Sequence, residues 1–449
     1  SLKQADYSVF RVRVGRWNVP GKPIAVLVDF SKLWLQKDEI FGWAWQHYGV
    51  QSHAAYGDYD ESSLFGYAAG MAMESLYRWI DKNEQKKTVV AHANEWQTAF
   101  SIFYLRQMCP KIGTLFTTHA TGIGRSIAGN GKPLYDYFEG YHGDQMAEEL
   151  NMVSKHSAEK MAAKWADCFT TVSDITAREC TQLLDKTPDV VTPNGFEPDF
   201  VPATNTFNKS RTRARKALTD FAKAQGVEVG TDPFFICIAG RQEWKNKGID
   251  VFLDSMKRLG VEEEGGRGVG CRVIAFVMIP YLNNDALIND ELMNGVTVLF
   301  VPYYLDGHDP VFRLSYYDLL IGMDMSVFPS YYEPWGYTPL ESIAFHVPTI
   351  TTSLSGFGAW AKNELRVERL ELREPLLQPV TVIERTDSNY EKVVTEIVTT
   401  LTKAIHASKA EMDRVRKQAA LLAQKAEWKQ FFTYYLQAYD IALKARHRR

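Results

Sequence analysis

The stretch FFICIAGRQEWKNKGID, residues 234–250, decides the fold. An unbroken apolar run stops at Gly240, passes through a short charged turn and enters a helix near Ile249. A strand that is apolar at every position must be covered on both faces, and the helix that follows supplies part of that cover. The same alternation recurs on either side. RVIAFVMI (272–279), VTVLFVP (296–302), MSVFPS (325–330), VPTITT (347–352) and VTVIER (380–385) repeat it downstream. PIAVLVDF (23–30), TVVAH (88–92), IGTLFTTH (112–119), CFTTVS (168–173) and DVVTPNG (189–195) repeat it upstream. The chain therefore reads as α/β, with parallel sheets layered between helices.

A stretch rich in Pro, Asn and Thr, TPNGFEPDFVPATNTFNKSRTRARK, separates the two series and reads as a linker near residue 200. Two doubly wound, Rossmann-like domains facing each other across a cleft are expected, over residues 1–200 and 201–430, with a C-terminal helix at 431–449. Helix-forming composition over 407–445, with Trp428 and the aromatic patch at 431–435, predicts a terminal helix that docks through its aromatics.

At 449 residues two or three domains are expected, and 45% hydrophobic with 23% charged residues is ordinary globular composition. A net charge of −3 gives no reason to expect a nucleic-acid partner. No run approaches the roughly 18 apolar residues that span a bilayer. Five scattered cysteines, Cys109, Cys168, Cys180, Cys237 and Cys271, fit a reducing compartment better than a disulfide framework, so a cytoplasmic protein is expected.

Open α/β sheets bind ligands beyond the carboxyl ends of their strands, and chemistry-bearing residues collect there. Arg241 and Lys247 flank the turn after FFICIA; paired cations at that place neutralise a departing diphosphate. A solvated charged turn is the competing reading. His92, Glu95, His119, Arg125 and Asn194 stand at or just past the ends of strands in the first series. YYEPWGYTPLES (331–342) follows another strand and carries Glu333 and Glu341 around a Pro-Trp-Gly-Tyr core. Thr338, Pro339 and Glu341 fit N-cap, N1 and N3 of a capping box, which gives Glu341 a structural role of its own. A helix N-terminus also attracts anions, so residues 336–338 suit a diphosphate. Glu333 has no capping role and is the stronger catalytic candidate. Asp58-Tyr59-Asp60 is formally a DxD pair but lies in a polar loop, and no metal site is expected. GxSxG, GxGxxG, the phosphate-loop motif and zinc spacings are absent.

VGRW (14–17), HANEW (92–96), TTHATGIGR (117–125), TTVSDITAREC (170–180), DVVTPNGF, AGRQEWKNKGIDVF, VFPSYYEPWGYTPLES and TTSLSGFG (351–358) occur in order. With them the chain resembles the glycogen synthases of the animal and fungal type, including their bacterial relatives. The resemblance implies a GT-B fold and retaining, metal-independent transfer of glucose from a nucleoside-diphosphate donor, UDP-glucose or ADP-glucose, to an α-1,4-glucan. It implies no further cofactor, and a homo-oligomer. Glu333 matches the family's essential glutamate. Arg241, Lys247 and the segment Gly336, Tyr337, Thr338 match its diphosphate contacts. Glu341 matches a ribose ligand, Tyr316 the aromatic against the base, and His119, Arg125 and Asn194 the glucose and phosphate pocket. His92 and Glu95 match the acceptor side.

The chain departs from the family in three places. The Lys-x-Gly-Gly turn that precedes VGRW in relatives is absent from this sequence, so the first domain is expected to lack its opening strand. A long helical insertion is reduced to residues 281–295, and 363–379 match poorly. Two other readings remain in view: a retaining transferase acting on a small sugar, and an idle glucan-binding scaffold.

Overall fold

The computed structural model describes residues 10–84, 87–265, 273–281, 296–369 and 377–446. Cys271, nearly all of the shortened insertion and the middle of the poorly matching 363–379 stretch lie outside the described residues. The chain forms two compact units: residues 1–193 with 431–449, and residues 194–430.

The second unit is built on six parallel strands, β7 (Phe234–Ala239), β8 (Val273–Met278), β9 (Val296–Phe300), β10 (Met325–Val327), β11 (Thr349–Thr352) and β12 (Val380–Ile383). Every residue of β7 and β8 is buried, which is why both read as unbroken apolar runs. The strand order is β12-β11-β10-β7-β8-β9. The chain winds outward from β7 to β9, returns to pair β10 with β7, then winds the other way. That reversal leaves a crevice beyond the carboxyl ends of β7 and β10, where a doubly wound sheet takes its ligand.

The first unit contains β1 (Arg11–Arg16), β2 (Ile24–Asp29), β3 (Val90–Asn94), β4 (Gly113–Thr118), β5 (Cys168–Thr171) and β6 (Val190–Val191). The last four form a parallel sheet in sequential order. The helix Trp428–Arg446 lies on it: Ala438 and Ala442 are fully buried against Leu115, Cys168 and Val190. Their small side chains permit close approach, and a Cβ on Gly113 would stand 3.0 Å from the Ala442 carbonyl oxygen. The aromatics flank this contact, with the Tyr435 hydroxyl donating to the Thr192 carbonyl at 3.2 Å.

Three expectations are corrected. PIAVLVDF is not a strand of the parallel sheet; β2 pairs antiparallel with β1 in a largely exposed ribbon. The reversal through residues 17–23 is short enough for a hairpin and is closed by the Trp17 amide donating to Pro23 at 2.9 Å. The second half of the presumed linker is the helix Thr204–Ala224, because its polar, arginine-rich face has ionic partners in the fold. The single helix read over 407–445 is two, Lys409–Lys425 and Trp428–Arg446, the first capped by the Ser408 side chain.

Candidate active site

The crevice of the second unit holds a cavity of about 690 Å³ lined by Arg241, Lys247, Tyr316, Thr338 and Glu341 together with Gly240, Met278, Tyr281, Tyr303 and Tyr304. Two backbone devices bring its chemistry together. The Tyr331 and Tyr332 amides both donate to the Asn246 carbonyl, at 2.9 and 3.2 Å, tying the turn after β7 to the segment after β10. Gly248, at φ +70°, makes that approach possible, since a Cβ there would stand 2.1 Å from the Pro329 carbonyl oxygen. Lys247 Nζ consequently meets Glu333 Oε2 at 2.5 Å, with the two side chains 17% and 14% exposed. Arg241 is freer, its guanidinium 2.8 Å from Glu243 and 64% exposed.

The backbone of Glu333 is held by TTSLSGFG, which sequence alone gave no structural task. Gly356 donates its amide to the Glu333 carbonyl at 3.1 Å, and Phe357 donates to Trp335 at 2.7 Å. On the same motif, Lys245 Nζ sits 4.4 Å over the Tyr331 ring.

The capping box at Thr338 does not form. The helix spans Tyr337–Ala344, with Gly336 at its N-cap (φ +111°) and no side-chain cap. Starting two residues earlier places Pro339 at N3, where its missing N–H costs nothing. Glu341 is thereby turned away from the helix start, and its Oε1 accepts from the Tyr317 hydroxyl at 2.7 Å. Burial raises its pKa, against the opposing pull of that hydrogen bond. A capping box does exist nearby, Ser315 with Asp318, and it opens the helix that carries Tyr316. The Tyr316 hydroxyl oxygen is buried with no partner among the described residues.

In the first unit, His119 follows β4. Its Nε2 pairs with Asn94 Oδ1 at 2.9 Å and its amide donates to Glu95 Oε1 at 2.9 Å. Burial lowers its pKa. Arg125 lies on the helix Gly122–Gly129. His92, in mid-strand, bonds Thr117 Oγ1 at 2.7 Å and the Tyr439 hydroxyl at 3.3 Å, joining the sheet to the terminal helix. Asn194, 3% exposed, opens the second unit. Asp58 and Asp60 take separate lysines, Lys155 at 2.7 Å and Lys37 at 3.0 Å.

Burial, with His119 nearby, lowers the His92 pKa to about 4. Between pH 6.5 and 4 the unfolded chain binds a proton there that the fold does not, so stability falls as pH falls through that window. The loss approaches about 3 kcal/mol and is absent above pH 7. Urea titrations from pH 4 to 8 should show this slope in the parent chain and its reduction in His92→Asn.

The sequence missed the tyrosines at 281, 303 and 304. They stand just past β8 and β9, so the strand-end rule that found Arg241 also covered them.

The two-unit architecture, with a doubly wound sheet and its cations at the switch point, is that of the GT-B glycosyltransferases. Solved structures that share it include the catalytic domain of starch synthase IV from Arabidopsis thaliana, bound to ADP and acarbose. That match has a TM-score of 0.59 at 16% identity, over 97% of this chain and 85% of that one. A trehalose 6-phosphate synthase from Burkholderia multivorans aligns with a TM-score of 0.55 at 11% identity, over 97% and 88%. The glycogen synthase family model matches residues 1–292 and 284–449, and the chain belongs to that family. Similar curated proteins include glycogen [starch] synthase isoform 2 of Saccharomyces cerevisiae, 24% identical over 96% of this chain and 74% of the relative. The liver enzyme of Rattus norvegicus is 25% identical over 96% and 73%, and the Dictyostelium discoideum enzyme 24% over 96% and 58%.

Proposed function

We propose that this chain lengthens an α-1,4-glucan by retaining transfer of glucose from a nucleoside-diphosphate glucose, UDP-glucose or ADP-glucose. The observation that carries the reading is the Glu333–Lys247 pair at the switch point of the second unit. Loss of the leaving group puts negative charge on a diphosphate and positive charge on the anomeric carbon, and both must be met by groups already in place. Lys247 and Arg241, with the amides of residues 336–338 at a helix start, answer the first need without a metal ion. Glu333 answers the second. The acceptor hydroxyl attacks from the side the diphosphate leaves, giving its proton to a phosphate oxygen, so configuration is retained.

Tyr316 lies against the base and Glu341 against the ribose, while His119, Arg125 and Asn194 serve the glucose and phosphates. His92 and Glu95 border the acceptor side. The setting is cytoplasmic and the working form a homo-oligomer.

Transfer of labelled glucose from each donor into glycogen, compared with transfer to free glucose, tests the reading. Incorporation into glycogen is expected, and failure to elongate any α-glucan would overturn it. Because Glu341 does not cap its helix, Glu341→Gln should weaken donor binding by about tenfold, the loss of one charged hydrogen bond. Its melting temperature should stay close to the parent's; a large drop with unchanged donor KM would reverse the assignment.

A further inference from the structure

We infer that Glu159 and Glu95 form a carboxylate clamp that positions the loop after β4, and with it His119 and Arg125, for glucosyl transfer. The inference rests on the donor-side reading of those two residues given above.

Glu159 stands on the helix Val153–Trp165, is 1% exposed and has no part in the chemistry described so far. One carboxylate oxygen accepts from the Thr118 hydroxyl, and Oε2 accepts from the Gly122 amide at 2.9 Å. Glu95, from the end of β3, accepts from the His119 amide at 2.9 Å. Two acids on different elements thus grip residues 118, 119 and 122 from within the unit. His119 is inside the gripped segment, and Gly122 is the first residue of the helix that bears Arg125.

The grip is maintained at a cost in backbone conformation. Glu95 sits at φ 66°, ψ 161°, a region that side-chain-bearing residues rarely occupy. Such a conformation persists only where the surroundings over-determine it, and here its carboxylate reaches the His119 amide. Two buried carboxyls close together, with few cations, form an expensive arrangement for a merely structural loop tie, which a serine or asparagine could make.

The groups facing Glu159 are Glu95 from the end of β3, Arg125 from the helix Gly122–Gly129, and Cys180 from the helix Asp174–Leu183, which also carries Glu179. Burial, with Glu95 next, raises the Glu159 pKa to about 8. At neutral pH the clamp therefore carries a proton. Its loss above pH 8 adds a negative charge beside Arg125, which draws the guanidinium inward. In the protonated acid Oε1–H donates to the Thr118 hydroxyl oxygen while Oε2 still accepts from the Gly122 amide, and glutamine, with its NH2 toward Thr118, reproduces both bonds.

The test compares Glu159→Ala and Glu159→Gln with the parent chain, using UDP-glucose and ADP-glucose as donors, glycogen as acceptor, and calorimetric binding of UDP and ADP. Glu159→Ala should lose about 100-fold in kcat, the scale of a loop misplaced by roughly 1 Å, while nucleotide affinity changes less than about threefold. Glu159→Gln should restore kcat at pH 7 to near the parent value. It should also abolish the fall in kcat that the parent shows above pH 8. A folded alanine variant with parent-like kcat overturns the inference. If that variant does not fold, an alkaline limb shared by the parent and the glutamine variant overturns it. A parent chain that neither binds nucleotide nor transfers glucose would instead overturn the functional reading beneath it.

Discussion

Glu333→Gln should lower glucosyl transfer by about 10³-fold or more while the protein remains folded and binds the nucleoside diphosphate. The substitution keeps the shape of the side chain and its place against Gly356 and Ser355, since those contacts are made by the backbone. What it removes is the negative charge 2.5 Å from Lys247. That charge has two uses in the proposed reaction. It stabilises positive charge on the glucose as the diphosphate departs, and it keeps Lys247 oriented before the donor arrives. Losing a single preorganised electrostatic group of this kind typically costs 10²–10³ in turnover, and here one substitution disturbs both. The nucleotide itself should bind at least as well, because Lys247 no longer has a competing carboxylate. Turnover near the parent value, measured at saturating donor and glycogen, would remove Glu333 from the chemistry. Lost nucleotide affinity with unchanged kcat would make it a binding residue only.

The doubly wound second unit was readable because β7, β8, β10 and β11 are buried at every position, and in β7 and β8 full burial leaves an unbroken apolar run. The cavity residues Arg241, Lys247, Tyr316, Thr338 and Glu341 were readable for a related reason: strand ends can be counted along the chain. What escaped were features set by tertiary partners. The Thr338 capping motif has the right letters, yet Gly336 starts the helix earlier and Tyr317 takes the Glu341 carboxylate. PIAVLVDF has the composition of an interior strand but pairs with Arg11–Arg16 in an exposed ribbon. Glu159 sits in a helix whose sequence gives no sign that its carboxylate faces the His119 loop. Tyr317 and the His119 loop lie tens of residues from Glu341 and Glu159, and periodicity carries no record of such partners.

The helix Thr204–Ala224 shows the same limit and gives a second large effect. Its sequence, TNTFNKSRTRARK at the start, is too polar to predict a helix docked on the sheet's own strands, and only Ala214, Leu218, Phe221 and Ala222 are buried. Asp324 explains how it is held there. Asp324 Oδ1 accepts from Arg211 at 2.8 Å and from Arg416 at 2.6 Å, and Oδ2 accepts from Arg215 at 2.8 Å. The Phe235 amide, at the start of β7, adds a fourth bond at 2.9 Å. One carboxylate, only 9% exposed, thus joins two helices to the first strand of the sheet. Burial already lowers the Arg211 pKa to about 10, so its charge is held at a cost and depends on this partner. Asp324→Ala leaves Arg211 and Arg215 facing each other with no carboxylate partner among the described ion pairs, and Arg416 with only Asp413 at 3.6 Å. Breaking a buried ion pair from one side costs about 3–5 kcal/mol, and the loss should appear as a lower urea midpoint for the second unit. Asp324→Asn should recover only part of it, because an amide fills the space without neutralising the cations. A midpoint unchanged in Asp324→Ala would mean that the carbonyls of Ile321, Met323 and Gly322, which accept from Arg211 and Arg215 at 2.7–3.0 Å, suffice to hold the helix without the acid.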